Sequence, residues 1–103
     1  MYRGTTPTFI FQFDDTIDLT SLTQVWVTIS DGSGNKTTWD ISDVTIDNEN
    51  HEILLSLTQE ETLAFALGNA LVQIRFLTNS DVALTTACST LNIQDVLKEG
   101  VIE

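Results

Sequence analysis

Cysteine is almost missing from this chain: Cys88 stands alone, so no internal disulfide can form and no cysteine cluster can hold a metal. A reducing site of synthesis fits that usage. Basic side chains are also scarce, with 4 Lys and Arg against 15 Asp and Glu and a formal net charge of −11. Nucleic-acid binding draws its affinity from cations that neutralise phosphates, so DNA, RNA and anionic lipid are not expected as partners. The charge serves solubility first. No segment approaches the roughly 20 apolar residues that span a bilayer, and the opening MYRGTTPT lacks the apolar stretch of an export signal. No membrane partner is expected.

What is present is alternation. In TFIFQF, Phe9, Phe11 and Phe13 share one face, and Pro7 just ahead of them suits a strand start or an exposed edge. QVWVTIS sets Val25, Val27 and Ile29 against Gln24, Trp26 and Thr28. The glycines of DGSGN predict a hairpin loop over Asp31 to Asn35, after which Lys36 to Ile41 returns with Trp39 and Ile41 on one side. Val44 to Ile46, the turn DNEN, and HEILLSL with Ile53, Leu55 and Leu57 aligned come next. ALVQIRFLT places Val72, Ile74 and Phe76 together. NSD at 79 to 81 predicts a tight turn, and VALTTACSTLNI, rich in Thr, a last long strand.

This pattern predicts an all-β fold: one domain over residues 1–103, an immunoglobulin-like antiparallel β-sandwich of about seven strands. A small barrel is the second choice. One stretch breaks the alternation. In LTQEETLAFALG, Thr58 and Glu61 match a capping box, acidic residues load the first turn, and Gly68-Asn69 is a stop. A short helical crossover near residues 59–66 is therefore predicted, carrying the chain between sheets, with Leu63, Phe65 and Leu67 closing the core.

Chemistry is sparse. DGSGNK lacks the glycine and the bidentate glutamate that a calcium loop needs at its sixth and twelfth positions. Asp14, Asp15 and Asp18 crowd one loop, and Asp43, Asp47 and Glu49 another; acidic loops of this kind are ordinarily solvated. His51 and Cys88 form a catalytic pair only if the fold brings them together with an orienting group, and Cys88 reads as a small buried hydrophobe. No catalytic residue, cofactor or metal is expected, and the chain is read as non-enzymatic. The alternative from another class is a small carbohydrate- or host-surface-binding module, stacking sugars on Trp26 and Trp39.

The opening RGTTPTFIFQF, the central LTQEETLAF and the closing DVLKEGVIE together resemble short tail-module proteins of phages and prophages of Gram-positive bacteria. The matching residues are Arg3 to Thr8, Leu57 to Phe65 and Lys98 to Ile102, so the likeness spans both ends and the middle. The group is also similar to the N-terminal domain of phage baseplate upper proteins, a β-sandwich that attaches receptor-binding parts to the tail. The resemblance implies a structural component of a tail or baseplate, made in the host bacterial cytoplasm and then part of the virion tail. Its partners would be other tail or baseplate proteins or a further copy of itself, with no small-molecule ligand. Arg3 and the apolar Val96, Leu97, Val101 and Ile102 are the candidate docking residues. The segment 95–103 is expected to dock either back onto the sandwich or onto a neighbouring subunit.

Overall fold

A computed structural model of the chain describes residues 1–14, 17–86, 88–98 and 100–102. Asp15 of the first acidic loop, Ala87 of the last strand region, and Glu99 and Glu103 of the tail lie outside the described residues. The alternating runs form β1 (Thr8–Gln12), β2 (Leu22–Ser30), β3 (Lys36–Trp39), β4 (Val44–Asp47), β5 (Glu52–Ser56), β6 (Gly68–Thr78), β7 (Ala83–Thr85) and β8 (Ser89–Ile93). The smaller sheet has the order β1-β5-β4; the larger runs β3-β2-β6-β7, with β8 also paired to β6. All of these pairings are antiparallel. The all-β sandwich is thus the observed architecture. Its strand order corresponds to immunoglobulin strands B-E-D facing C′-C-F-G, and among the described residues no strand takes the A position beside β1.

The predicted last strand is divided. Arg75 faces Thr85 while Val72 faces Ser89, so the partner side carries one residue more than β6 over this interval. That is a bulge. It accounts for eight strands where about seven were predicted.

The period of two decides what is buried. Val25, Val27 and Ile29 have no exposed surface, Val72, Ile74 and Phe76 are nearly as enclosed, and Ile53 and Leu55 meet them from the smaller sheet. Each such aliphatic side chain stabilises the fold by about 1.5–3 kcal/mol relative to exposure. Phe13 and Phe76 meet across the two sheets edge to face, their ring centroids 5.6 Å apart.

The break in alternation is a helix, α1 (Gln59–Leu63), and it does cross from one sheet to the other. Its capping box is complete. The Thr58 N–H donates to Glu61 Oε1 at 2.9 Å and the Glu61 N–H donates to Thr58 Oγ1 at 3.2 Å. The other Glu61 oxygen accepts the Trp39 indole N–H at 2.7 Å, so one carboxylate both caps the helix and fixes a core aromatic. The helix is shorter than predicted, and this alters what plugs the sandwich. Thr62 and Phe65 are buried and Leu63 partly so, whereas Leu67 is 48% exposed, because the chain leaves helical geometry before reaching it.

Gly32 shows what holds the crossover against the β2–β3 hairpin. A Cβ at this position would lie 2.5 Å from the Leu67 carbonyl oxygen, so only glycine allows the approach.

Candidate partner-docking face

Segments distant in sequence converge at one end of the sandwich. Tyr2 and Gln94 form a parallel bridge just beyond β8: the Arg3 N–H donates to the Gln94 carbonyl and the Gln94 N–H to the Met1 carbonyl, both at 2.8 Å. The N-terminal segment therefore belongs to the larger sheet. Arg3 then turns toward α1. Its Nη2 donates to the Leu63 carbonyl at 2.7 Å, and its Nη1 lies 3.4 Å from Asp95 Oδ1. The carbonyl is one of those left without a helical partner at the end of α1, so Arg3 acts as its C-terminal cap. The ion pair is partly exposed and contributes between about 0 and 1 kcal/mol. The buried Thr62 hydroxyl donates to the Thr5 carbonyl at 2.9 Å, completing the stitch between N-terminal segment and helix.

The tail returns to the same place. The Gln59 side-chain amide grips the main chain of Ile102, its Nε2 donating to the Ile102 carbonyl at 3.0 Å and its Oε1 accepting the Ile102 N–H at 2.8 Å. Such a two-point contact reads backbone, as a neighbouring strand would, and is indifferent to side chain. The tail's own side chains are not buried by it. Leu97 is fully exposed, Ile102 61% and Val101 46%, with Val96 half-buried. Of the two expected dockings, the backbone takes the intramolecular one while the apolar side chains remain in solvent. Arg3 is engaged within the chain; Leu97, Val101, Ile102 and the 52% exposed Tyr2 are the exposed large apolar side chains of the two terminal segments that converge here.

The sugar-stacking pair is not assembled. Trp39 is buried, packed edge to face on Phe65 at 6.3 Å and tied to Glu61, so the expectation that it stacks on a ligand is corrected. Trp26 is 38% exposed on the outer face of the larger sheet, opposite Arg75 in register. The period of two set Trp26 opposite the buried Val25, Val27 and Ile29 stripe, where it is found; that Trp39 faces inward is decided by the packing of the α1 region over β3.

Three aspartates of the acidic loops spend their carboxylates on side-chain and backbone donors within their own loops. Asp18 accepts from the Thr20 hydroxyl and N–H, Asp40 from the Ser42 hydroxyl and N–H, and Asp47 from Asn50 and the Glu49 N–H. These hydrogen bonds hold all three carboxyls below the ordinary aspartate range, the Thr20, Ser42 and Asn50 side chains contributing most. Among the described residues no cluster of His, Cys, Asp and Glu is arranged to hold a metal. Asp31, the first residue of the calcium-like loop, is buried and accepts the Ala66 N–H at 3.0 Å on one oxygen and those of Ser33 and Asn35 on the other. The Ala66 bond is the chief reason its pKa is lowered. Asp31 is a structural tie between hairpin and crossover, a role that required knowing the two loops to be neighbours.

Cys88 is exposed, correcting the expectation of a buried one, and lies beside Lys36, Leu71 and Arg75 on the larger sheet. His51 is in the turn before β5, where its carbonyl accepts the Phe13 N–H. The two lie on different sheets and share no site. In comparisons with known proteins, no family model, curated protein or solved structure matches this chain.

Proposed function

We propose that the chain is a non-enzymatic structural component of a phage or prophage tail or baseplate, made in the host cytoplasm and acting in the virion through protein–protein contacts. One observation carries this reading: the face at which Tyr2, Leu97, Val101 and Ile102 are presented to solvent is built from all the sequence stretches that carry the resemblance. Arg3 touches Leu63, Thr5 touches Thr62, and Gln59 holds Ile102. Motifs that are scattered in sequence and joined in space mark a shared surface better than scattered strands would. Other tail or baseplate proteins, or a further copy of the chain, would cover the exposed tail.

Quantitative mass spectrometry of particles released after induction tests this. The wild-type chain should be present at a fixed ratio to the major tail protein, and the triple substitution Leu97→Ser, Val101→Ser, Ile102→Ser should fold normally but be lost from particles. A wild-type chain absent from particles while abundant in the lysate overturns the reading. Binding of glycans that changes tryptophan fluorescence would favour the surface-binding alternative, now through Trp26 alone.

A further inference from the structure

The side of the sandwich between β1 and the β7–β8 strand is unfinished. Residues directly opposite in a sheet share a face, so Leu84, opposite Phe76, and Ser89, opposite Val72, both point to the core side of the larger sheet. Yet Leu84 is 39% exposed and Ser89 is exposed, whereas Ile93 on the same face is buried at 2%. The larger sheet extends past the smaller one here, and nothing among the described residues lies over it. The resulting cleft is about 300 Å³, with Phe11, Phe13, Val72 and Ile74 as an apolar floor and Ile10, Gln12, Thr86 and Ser89 along its sides. It coincides with the A position left vacant beside β1.

The bordering strand is prepared for pairing. Pro7 O accepts from the Leu57 N–H and Phe13 N–H donates to His51 O, so the odd-numbered residues bond inward to β5. By the alternation of an antiparallel ladder, Thr8, Ile10 and Gln12 turn their N–H and C=O groups outward. Edge strands are normally protected by charge, bulges or internal proline. β1 has no bulge in its pairing, and from Gly4 to Phe13 the sequence contains no charged residue. The opposite edge, β7–β8, is interrupted by its bulge and bridged at Gln94 by the N-terminus.

We propose that this cleft is a β-augmentation site that takes an extended segment of a partner protein, with alternating apolar side chains and basic flanks, as an added strand on β1. Residues of the segment opposite Phe9 and Phe11 enter the cleft, and its backbone bonds to Thr8, Ile10 and Gln12. The occupant is an extended segment, since a cleft of about 300 Å³ has room for a few side chains and not for the face of a second sandwich. Its basic flanks follow from charge complementarity: the chain carries −11, and Asp14 and Asp18 follow β1 in the adjoining loop. Their attraction is strongest at low salt.

The probe is a synthetic peptide of alternating valine and threonine with lysine at both ends, titrated against the full chain while amide exchange is followed by NMR. Protection should appear at Thr8, Ile10 and Gln12 and not at Ala83, Thr85 or Thr90. Ile10→Pro, which removes an outward N–H, and Ser89→Arg, which fills the cleft from an exposed position without altering the β1 sequence, should each weaken binding about tenfold, the scale of one lost hydrogen bond or contact of similar size. A glutamate-ended peptide should bind more weakly, the gap closing in high salt. Unchanged exchange on β1 at saturating peptide, protection on β7–β8 instead, or self-association that protects the same amides overturns the proposal. Equal affinity for lysine- and glutamate-ended peptides overturns the basic partner. Presence of the chain in particles bears on the assembly reading alone, so the two can fail separately.

Discussion

The two ends of the β8 strand are finished in opposite ways. At Ile93 the N-terminal segment bridges Gln94, Arg3 caps α1, Thr62 reaches back to Thr5, and the core is sealed. Beyond Ser89, toward Leu84 of β7, no segment among the described residues crosses, and core-face side chains are left partly in solvent. Both regions come from the same alternating strand pattern, so the difference lies in what packs over it. Where another part of the chain supplies hydrogen-bond partners for stray backbone groups, the interior closes; where none does, an apolar trench and an unprotected edge are left. A core-face position is therefore a statement about direction, and burial requires a covering layer.

Truncating one large apolar side chain in each region should break the comparison most visibly. Phe65→Ala, at a buried site against Trp39, should cost about 3–5 kcal/mol in chemical denaturation, the range for aromatic truncation in a core. Leu84→Ala should cost only about 1–2 kcal/mol, since that side chain is already 39% exposed. Similar losses at the two sites would mean that Leu84 is covered in solution and that the trench is closed.

Acid sharpens the contrast next. Asp31, held low mainly by the Ala66 N–H, and Glu61, where partial burial pushes upward but hydrogen bonds from Thr58 and Trp39 prevail, both have lowered pKa values and both tie down the sealed part of the fold. Unfolded Asp and Glu titrate near ~3.9 and ~4.3. Above those values the stabilisation is fully present. As pH falls through them the unfolded chain takes up protons that the folded chain resists, so stability drops until the folded carboxyls also protonate. Denaturation from pH 7 downward should show a plateau and then a steep loss below about pH 4, and Asp31→Asn should be less stable at pH 7 with a shallower acid limb. A limb unchanged by Asp31→Asn would assign the acid sensitivity to other carboxylates.

The smallest effect concerns the tail. Gln59→Ala removes the clamp on Ile102 and should cost no more than about 1 kcal/mol globally. Its local consequence is larger: Ile102 amide exchange should rise to the rate of an open chain while Ile93 stays protected. If Ile102 remains protected, contacts other than Gln59 hold the tail.

Most of the fold was legible in order along the chain. Val25, Val27, Ile29, Ile53, Leu55, Val72, Ile74 and Phe76 all bury as their alternation indicates, and Thr58 with Glu61 marks the start of α1. The candidate docking residues were legible as apolar side chains near a chain end, yet not the clamp that holds them, because Gln59 and Ile102 are joined only by the folded chain. Leu67 and Cys88 were misread for a related reason: one lies just past a helix that stops early, the other beside a bulge, and both interrupt the period from which facing is inferred.

By itself the sequence determined the facing of the strand residues, the turns at Asp31 to Asn35 and at residues 79 to 81, the capped crossover and the acidic composition. These depend on neighbours within a few residues, through side-chain alternation, local hydrogen bonds and charge. Only the tertiary structure decided that Arg3 caps α1, that Asp31 reaches Ala66, that Trp39 is covered and Leu84 is not, and that a strand position beside β1 stands open. Each of these depends on which segments meet across the two sheets, and that is set by packing between residues tens of positions apart.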